Sequence, residues 1–172
     1  GNANACTGDR GKEDARLMAE TTARLVGCRT EEVLVCSTGV IGVPMPRDKV
    51  IGGIEQAFHA LARGPAASRA FADAIRTTDA FPKAATREIP GTDGARVAGV
   101  CKGAGMIEPN MATMLAFVAT DLAIAPGALR DLVGVVAARS FNVVHVDTHA
   151  STNDTFLVLA TCSHGTAVEA DL

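Results

Sequence analysis

The chemistry-bearing residues of this chain cluster where hydroxyls, an amine and glycines share a short stretch. The richest stretch is Lys102-Gly103-Ala104-Gly105-Met106-Ile107-Glu108-Pro109-Asn110-Met111-Ala112-Thr113-Met114-Leu115. Its first half holds a cation, an amide and the turn formers Gly103, Gly105 and Pro109. From Met114 it becomes Met-Leu-Ala-Phe-Val-Ala, an apolar run of strand length and too short to cross a membrane. Thr113 stands at the junction. A hydroxyl fixed at the start of a strand, behind an adaptable loop, is well placed to act as a nucleophile. The same pattern also describes a glycine turn feeding a core strand, with Thr113 there only as a good β-former.

A second cluster is Cys36-Ser37-Thr38-Gly39-Val40-Ile41-Gly42, where the expected strand Glu32–Ser37 runs into a glycine turn. Backbone N–H groups turned outward by such a glycine can stabilise the oxyanion of acyl transfer; an ordinary turn reads the same way. Cys36 is a rival nucleophile, but its Val-Leu-Val-Cys context points to a buried, inert thiol. Thr77-Thr78-Asp79, at the end of a short helix, is either a pocket rim or a capping turn. Asp147 to Thr155 is a polar loop in which His149, Asp147, Asp154 and Ser151 invite a triad reading. Their order fits no nucleophile elbow, and Gly-x-Ser-x-Gly is absent. His59 has no second ligand at metal-binding spacing and reads as structural, so no metal is expected.

The elements that must position these groups alternate. Asp14–Cys28 has helical period, with Ala15, Met18, Ala19, Thr22, Leu25 and Val26 on one face and Gly27 as its stop. Asp48–Ala62 and Ser68–Arg76 read as further helices, the former closed by Gly64-Pro65. Ala84–Ile89 and Ala95–Cys101 read as a hairpin across Pro90-Gly91-Thr92-Asp93-Gly94, which delivers the chain to Lys102. A helix from Pro126 to about Ser140 turns Leu129, Leu132, Val133 and Val136 inward; Asn142–Val146 and Phe156–Thr161 read as strands. Gly1–Gly8 is a loop whose asparagines either line a polar pocket or form Asx turns. Strands alternating with amphipathic helices predict a layered α/β domain over residues 1–172.

With 172 residues, 48% of them hydrophobic, the chain can bury a core, and its composition is that of a globular protein. A net charge of −3, with neither Trp nor Tyr, argues against nucleic acid. No run is long enough for a spanning helix, so no membrane partner is expected. Five cysteines without a CxxC pair favour reduced thiols and a cytoplasmic setting.

The block from Lys102 to Leu115 resembles the self-cleavage segment of the ornithine acetyltransferases, the bifunctional glutamate N-acetyltransferase/amino-acid acetyltransferases. Gly-Asn-Ala-Asn-Ala, Ser-Thr-Gly-Val-Ile-Gly, Thr-Thr-Asp and Ser-Thr-Asn-Asp-Thr are similar to family segments and occur in the family's order. The family often has Thr where Ala150 stands. The resemblance implies self-cleavage between Ala112 and Thr113, giving α-chain residues 1–112 and β-chain residues 113–172, with Thr113 as N-terminal nucleophile. It assigns the oxyanion hole to Thr38 and Gly39. Substrate contact falls to Lys102, Thr113 and one of Thr77 and Thr78. It further implies an αββα-type sandwich and ping-pong acetyl transfer from N-acetylornithine to glutamate in arginine biosynthesis. Acetyl-CoA stays open as a second donor, and no bound cofactor is expected. The α and β chains would associate with each other and into a homo-oligomer. In the family these residues lie inside a longer protein, so both ends are expected to be incomplete, with a catalytic Glu beyond Leu172. A related self-processing aminopeptidase or amidohydrolase of the same fold, and a non-catalytic homologue, are the alternative readings.

Overall fold

The computed structural model describes residues 1–104, 114–144, 151, 153–165 and 167–168. Helix α1 spans Gly8–Val26 and so begins well ahead of the expected Asp14. Nothing from Asp9 onward breaks a helix; Asp9 favours the positive N-terminal end, and Lys12 bonds it at 2.9 Å. Gly27 stops the helix as expected, with φ 81° and its N–H on the Ala23 carbonyl at 2.8 Å. The expected apolar stripe is buried or half-buried apart from Val26, but the most buried positions extend to one side of it. Gly11, Asp14, Ala19, Thr21 and Ala23 are buried, and Val26 is exposed. The reason is an ion pair: Arg47, the first residue of α2 (Arg47–His59), bonds the buried Asp14 carboxylate and reaches Glu13 at 3.0 Å. That contact turns the Asp14 side of α1 toward α2.

Pro65 opens α3 (Pro65–Ala74) rather than closing the helix before it, because its missing N–H costs nothing at the first helical turn. The hairpin follows as expected, with β1 (Lys83–Glu88) antiparallel to β2 (Arg96–Lys102). Its turn closes through Ile89 N–H on Ala95 C=O at 2.8 Å, with Gly91 and Gly94 both at φ 79°. The apolar run becomes β3 (Leu115–Thr120), antiparallel to β2 from Val97↔Thr120 to Lys102↔Leu115. The short β4 (Ala123–Ile124) and α4 (Pro126–Arg139) cross over to β5 (Thr155–Ala160), which pairs parallel with β3. The sheet order is β1-β2-β3-β5; β4 and β6 (Ala167–Val168) form a separate parallel pair.

Helices cover the sheet on both faces. Phe71 of α3 meets Phe117 of β3 edge-on at 5.4 Å, and Phe141, just past α4, meets Phe156 of β5 at 5.0 Å. Phe156 lies opposite Ala116 in the parallel register, so it stands on the face away from Phe117. The chain is thus α/β, as expected.

Two expected strands are not seen among the described residues. Glu32 closes a 3-10 turn (Thr30–Glu32), and the extended residues after it join no ladder before an isolated bridge at Val40. Leu34 and Val35 stay exposed. The start of the expected strand at 142–146 is a 3-10 turn (Phe141–Val143), and residues 145–146 lie outside the described residues. Val143 and Val144 have strand propensity, but among the described residues they have no neighbouring strand to pair with. Val136, expected to face inward, is exposed.

What core there is centres on Leu115 and Ala116 at the start of β3. Leu115, 4% exposed, should cost about 3 kcal/mol when cut to Ala, while Leu159, 56% exposed, should cost under about 1 kcal/mol. Urea unfolding midpoints of the two variants check this ordering.

Candidate active site

Lys102 ends β2 and lies opposite Leu115, on the sheet face that carries Phe117 and α3. That placement buries its side chain (2% exposed) beneath the segment leaving α3. There Lys102 Nζ donates to Thr77 Oγ1 at 3.2 Å. Two residues on, the buried Asp79 carboxylate faces the same region. Its Oδ1 accepts from Lys83 Nζ, at the start of β1, and from the Gly103 N–H at 2.8 Å. Lys83 Nζ also donates to the Gly103 carbonyl at 3.0 Å and lies 5.2 Å from the Phe81 ring centroid.

Charge follows from this geometry. Burial alone would raise the Asp79 carboxyl, but the bonds from Lys83 and Gly103 and the two lysine charges outweigh it and hold it below the usual value. Burial lowers the Lys102 ammonium from 10.5; Asp79 and Asp154 oppose that shift and Lys83 reinforces it. A buried amine with reduced proton affinity, in reach of a hydroxyl, can hold a substrate carboxylate or carbonyl.

Just beyond Lys102 the chain narrows to a neck. Gly103 has φ 155°, where L side chains are strained, and a Cβ built there would lie 3.7 Å from Met114. Met114 is pinned on both sides: its N–H donates to Asp154 Oδ1 at 2.8 Å, and its carbonyl accepts from Thr155 N–H at 2.9 Å. Thr155 Oγ1 bonds the Asn153 carbonyl at 3.3 Å, and Asn153 N–H bonds Ser151 Oγ at 3.1 Å. The expected nucleophile Thr113 and its neighbour Ala112 lie outside the described residues, as do His149 and Asp147 of the triad reading.

The Thr38–Gly39 turn is built separately. Residues 1–5 run beside it: Val40 N–H bonds the Gly1 carbonyl at 3.0 Å, Ala3 N–H bonds Val40 at 2.9 Å, and Gly42 N–H bonds Ala5 at 3.0 Å. Only glycine fits at position 39, where φ is 129° and a Cβ would lie 2.1 Å from the Gly1 oxygen. Among the described residues no acceptor takes the N–H of Thr38 or Gly39, which leaves both as donors. The Asn4 side chain bonds the Gly11 carbonyl and Thr7 Oγ1, both at 2.7 Å, which favours the turn-forming reading over a pocket lining. Cys36 is half-buried and burial pushes its thiol up, as an inert thiol requires.

The described residues therefore bring Lys102 and Thr77 together; Thr77 and Thr78 are both exposed, and among the described residues only Thr77 bonds the Lys102 ammonium. No hydrogen bond or ion pair among them joins the Thr38–Gly39 turn to the Lys102 cluster. Lys83 escaped sequence reading: its pairing with Asp79, four residues back, belongs to no motif, and its contact with Gly103 depends on the register of β1 against β2.

The two glycine classes differ in a testable way. Gly39→Ala should strip hydrogen-exchange protection from the Ala3 and Val40 amides and lower the melting temperature. Gly52→Ala, inside α2 with open space around it, should instead stabilise by about 0.5–1 kcal/mol.

The model of the ArgJ family matches residues 1–171 of the chain. The arginine biosynthesis bifunctional protein ArgJ of Geobacter sulfurreducens is 50% identical over 169 residues, 98% of this chain and 42% of that protein. The protein of the same name from Thermus thermophilus is 50% identical over 165 residues, 96% of this chain and 41% of that protein. The crystal structure of arginine biosynthesis bifunctional protein ArgJ from Bacillus halodurans matches with a TM-score of 0.53 at 40% identity, over 64% of this chain and 58% of that one. The chain thus spans about two-fifths of the length of the curated relatives it matches.

Proposed function

We propose, on the premise that this chain belongs to the ArgJ family, that it carries the cleavage site, substrate lysine and oxyanion turn of an acetyltransferase. The reaction moves an acetyl group from N-acetylornithine to glutamate, in the arginine biosynthesis for which its relatives are named. The observation that carries the reading is the neck: a buried lysine, Lys102, lies opposite Leu115 where Gly103 packs against Met114. The sequence between those stems holds the Ala112–Thr113 bond.

Hydrolysis of the Ala112–Thr113 peptide gives Ala112 a carboxylate and Thr113 a free α-amine. That amine, neutral in part near its pKa of about 8, takes the proton of the Thr113 hydroxyl as the oxygen attacks the acetyl carbonyl. The Thr38 and Gly39 N–H groups hold the resulting oxyanion. Ornithine leaves with the proton, and acetyl-Thr113 passes its acetyl to the glutamate amine, restoring the hydroxyl. Lys102, with Thr77 beside it, holds the substrate carboxylate. Acetyl-CoA enters this scheme only as an alternative donor to the same hydroxyl.

Cleavage need not separate the pieces. The bond lies between β2 and β3, whose ladder runs unbroken from Val97↔Thr120 to Lys102↔Leu115. The two chains therefore stay associated, and the exposed apolar side chains suit a larger assembly. No helix among the described residues is long and apolar enough to cross a membrane. The odd number of cysteines fits the cytoplasm.

In the full natural chain, denaturing mass analysis should show a break after Ala112 that is absent in Thr113→Ala. Incubation with N-acetylornithine should then leave acetyl on Thr113, and glutamate should remove it. Release of amino acids from peptides without acetyl transfer would instead favour a related hydrolase. An uncleaved, unacetylated wild type would leave a non-catalytic homologue.

The pH profile of kcat/KM should be bell-shaped. Activity rises with pH as the Thr113 amine loses its proton, near pH 8 for an ordinary α-amine. It falls again as the Lys102 ammonium deprotonates, below the 10.5 of a free lysine because burial lowers it. Lys102→Met should abolish the alkaline limb.

A further inference from the structure

We propose that Asp79 and Lys83 are positioning residues for this reaction, forming a two-point clamp on Gly103 that holds Lys102 in place and fixes the stem of the cleavage segment. The inference rests on the functional reading above. It begins from an unusual arrangement of donors and acceptors. Gly103 has one N–H and one C=O, and the two are held by the two members of a single ion pair. Asp79 takes the N–H at 2.8 Å, Lys83 takes the C=O at 3.0 Å, and Lys83 also bonds Asp79. A neutral turn would need none of this charge. The Asp79 side chain is 1% exposed, a position that disfavours a carboxylate unless cations face it.

Gly103 follows Lys102 directly, and among the described residues the atoms nearest to a Cβ built on Gly103 are those of Met114, at 3.7 Å. Holding Gly103 at φ 155° therefore sets one stem of the neck, as Asp154 and Thr155 set the other at Met114. Asp79 Oδ2 has no hydrogen-bond partner among the described residues, so the whole hydrogen-bonding load falls on Oδ1. The pair serves Gly103 and Lys102 rather than a network of its own.

The charged groups that act on Lys102 are Asp79 and Asp154, which favour its ammonium, and Lys83, which opposes it. Cys101, on the strand beside Lys83, is kept a neutral thiol by burial and adds no charge. Removing Asp79 or Lys83 thus acts on Lys102 in opposite directions. A residue that merely stabilised the fold would not do this.

The test uses the full natural chain, with wild type, Asp79→Asn, Lys83→Met and Lys83→Arg. Self-cleavage is followed by denaturing mass analysis, and acetyl transfer from N-acetylornithine to glutamate is measured across pH on the cleaved fraction. Asp79→Asn keeps an acceptor for Gly103 but loses the charge, so the alkaline limb should move to lower pH. Lys83→Met removes the donor to Gly103 and a repelling cation. Cleavage should slow about ten- to a hundredfold, and the alkaline limb of what does cleave should move to higher pH. Lys83→Arg should restore both. Loss of cleavage in Lys83→Met with cleavage kept in Lys83→Arg supports the clamp by itself, even if Asp79→Asn does not fold. Limbs that stay put or move the same way, with wild-type cleavage, overturn the clamp and leave the acetyltransferase reading standing. A wild type that neither cleaves nor transfers overturns both.

Discussion

A buried ammonium at the end of a strand is the constraint on which this molecule turns. Lys102 has lost its water, and burial in an apolar setting pushes it toward the neutral form. What keeps a cation tenable there is supplied from several elements. Thr77 offers a hydroxyl from beyond α3, Asp79 and Asp154 offer negative charge, and β1 adds Lys83 as partner for Asp79. The two lysines repel each other, so Asp79 has to serve both. Such pairs add little net stability compared with apolar packing of the same volume. They are better understood as fixing one geometry, and the geometry fixed here is that of Gly103.

Sequence and structure agree most where local rules decide. The hairpin from Lys83 to Lys102 was legible because Pro90-Gly91-Thr92-Asp93-Gly94, with two glycines at left-handed turn positions, separates two short runs. Gly27 ended α1 for the same kind of reason. Disagreement appears where long-range partners decide. Residues 33–37 have strand composition but join no ladder, because a strand needs a neighbour and no described segment supplies one. The burial of Asp14 on α1 was missed because it runs through Arg47, far away in sequence, and an apolar-stripe rule counts such a residue as outward-facing.

The site divides along the same line. Lys102, Thr77 and the Thr38–Gly39 turn were legible as residue types suited to acyl transfer, and the pairing of Lys102 with Thr77 rather than Thr78 is geometry that no spacing announces. Lys83 carried no motif. Its contact with Asp79 spans one turn between a helix and a strand, and its contact with Gly103 crosses the sheet. The second depends on register, which alternation of apolar and polar residues fixes only weakly in a strand as exposed as β1.

The position of the expected break also has a physical logic. In the proposed scheme the uncut chain must hold Gly103 and Met114 together against chain entropy. After cleavage that entropic cost is gone, but each new end is free to fray. The ladder between β2 and β3 resists fraying along its length, and its last pair, Lys102↔Leu115, lies directly against the neck. Clamps on Gly103 and Met114 extend that protection one residue further on each side. A nucleophile generated by cutting the chain needs its stem to stay in register while the severed peptide departs. Here Met114, after the proposed cut, is tied to Thr155 of β5 and to Asp154, and Gly103, before it, is tied to β1 through Lys83. Anchoring the two stems to opposite edges of one sheet lets the bond between them open without the sheet having to move.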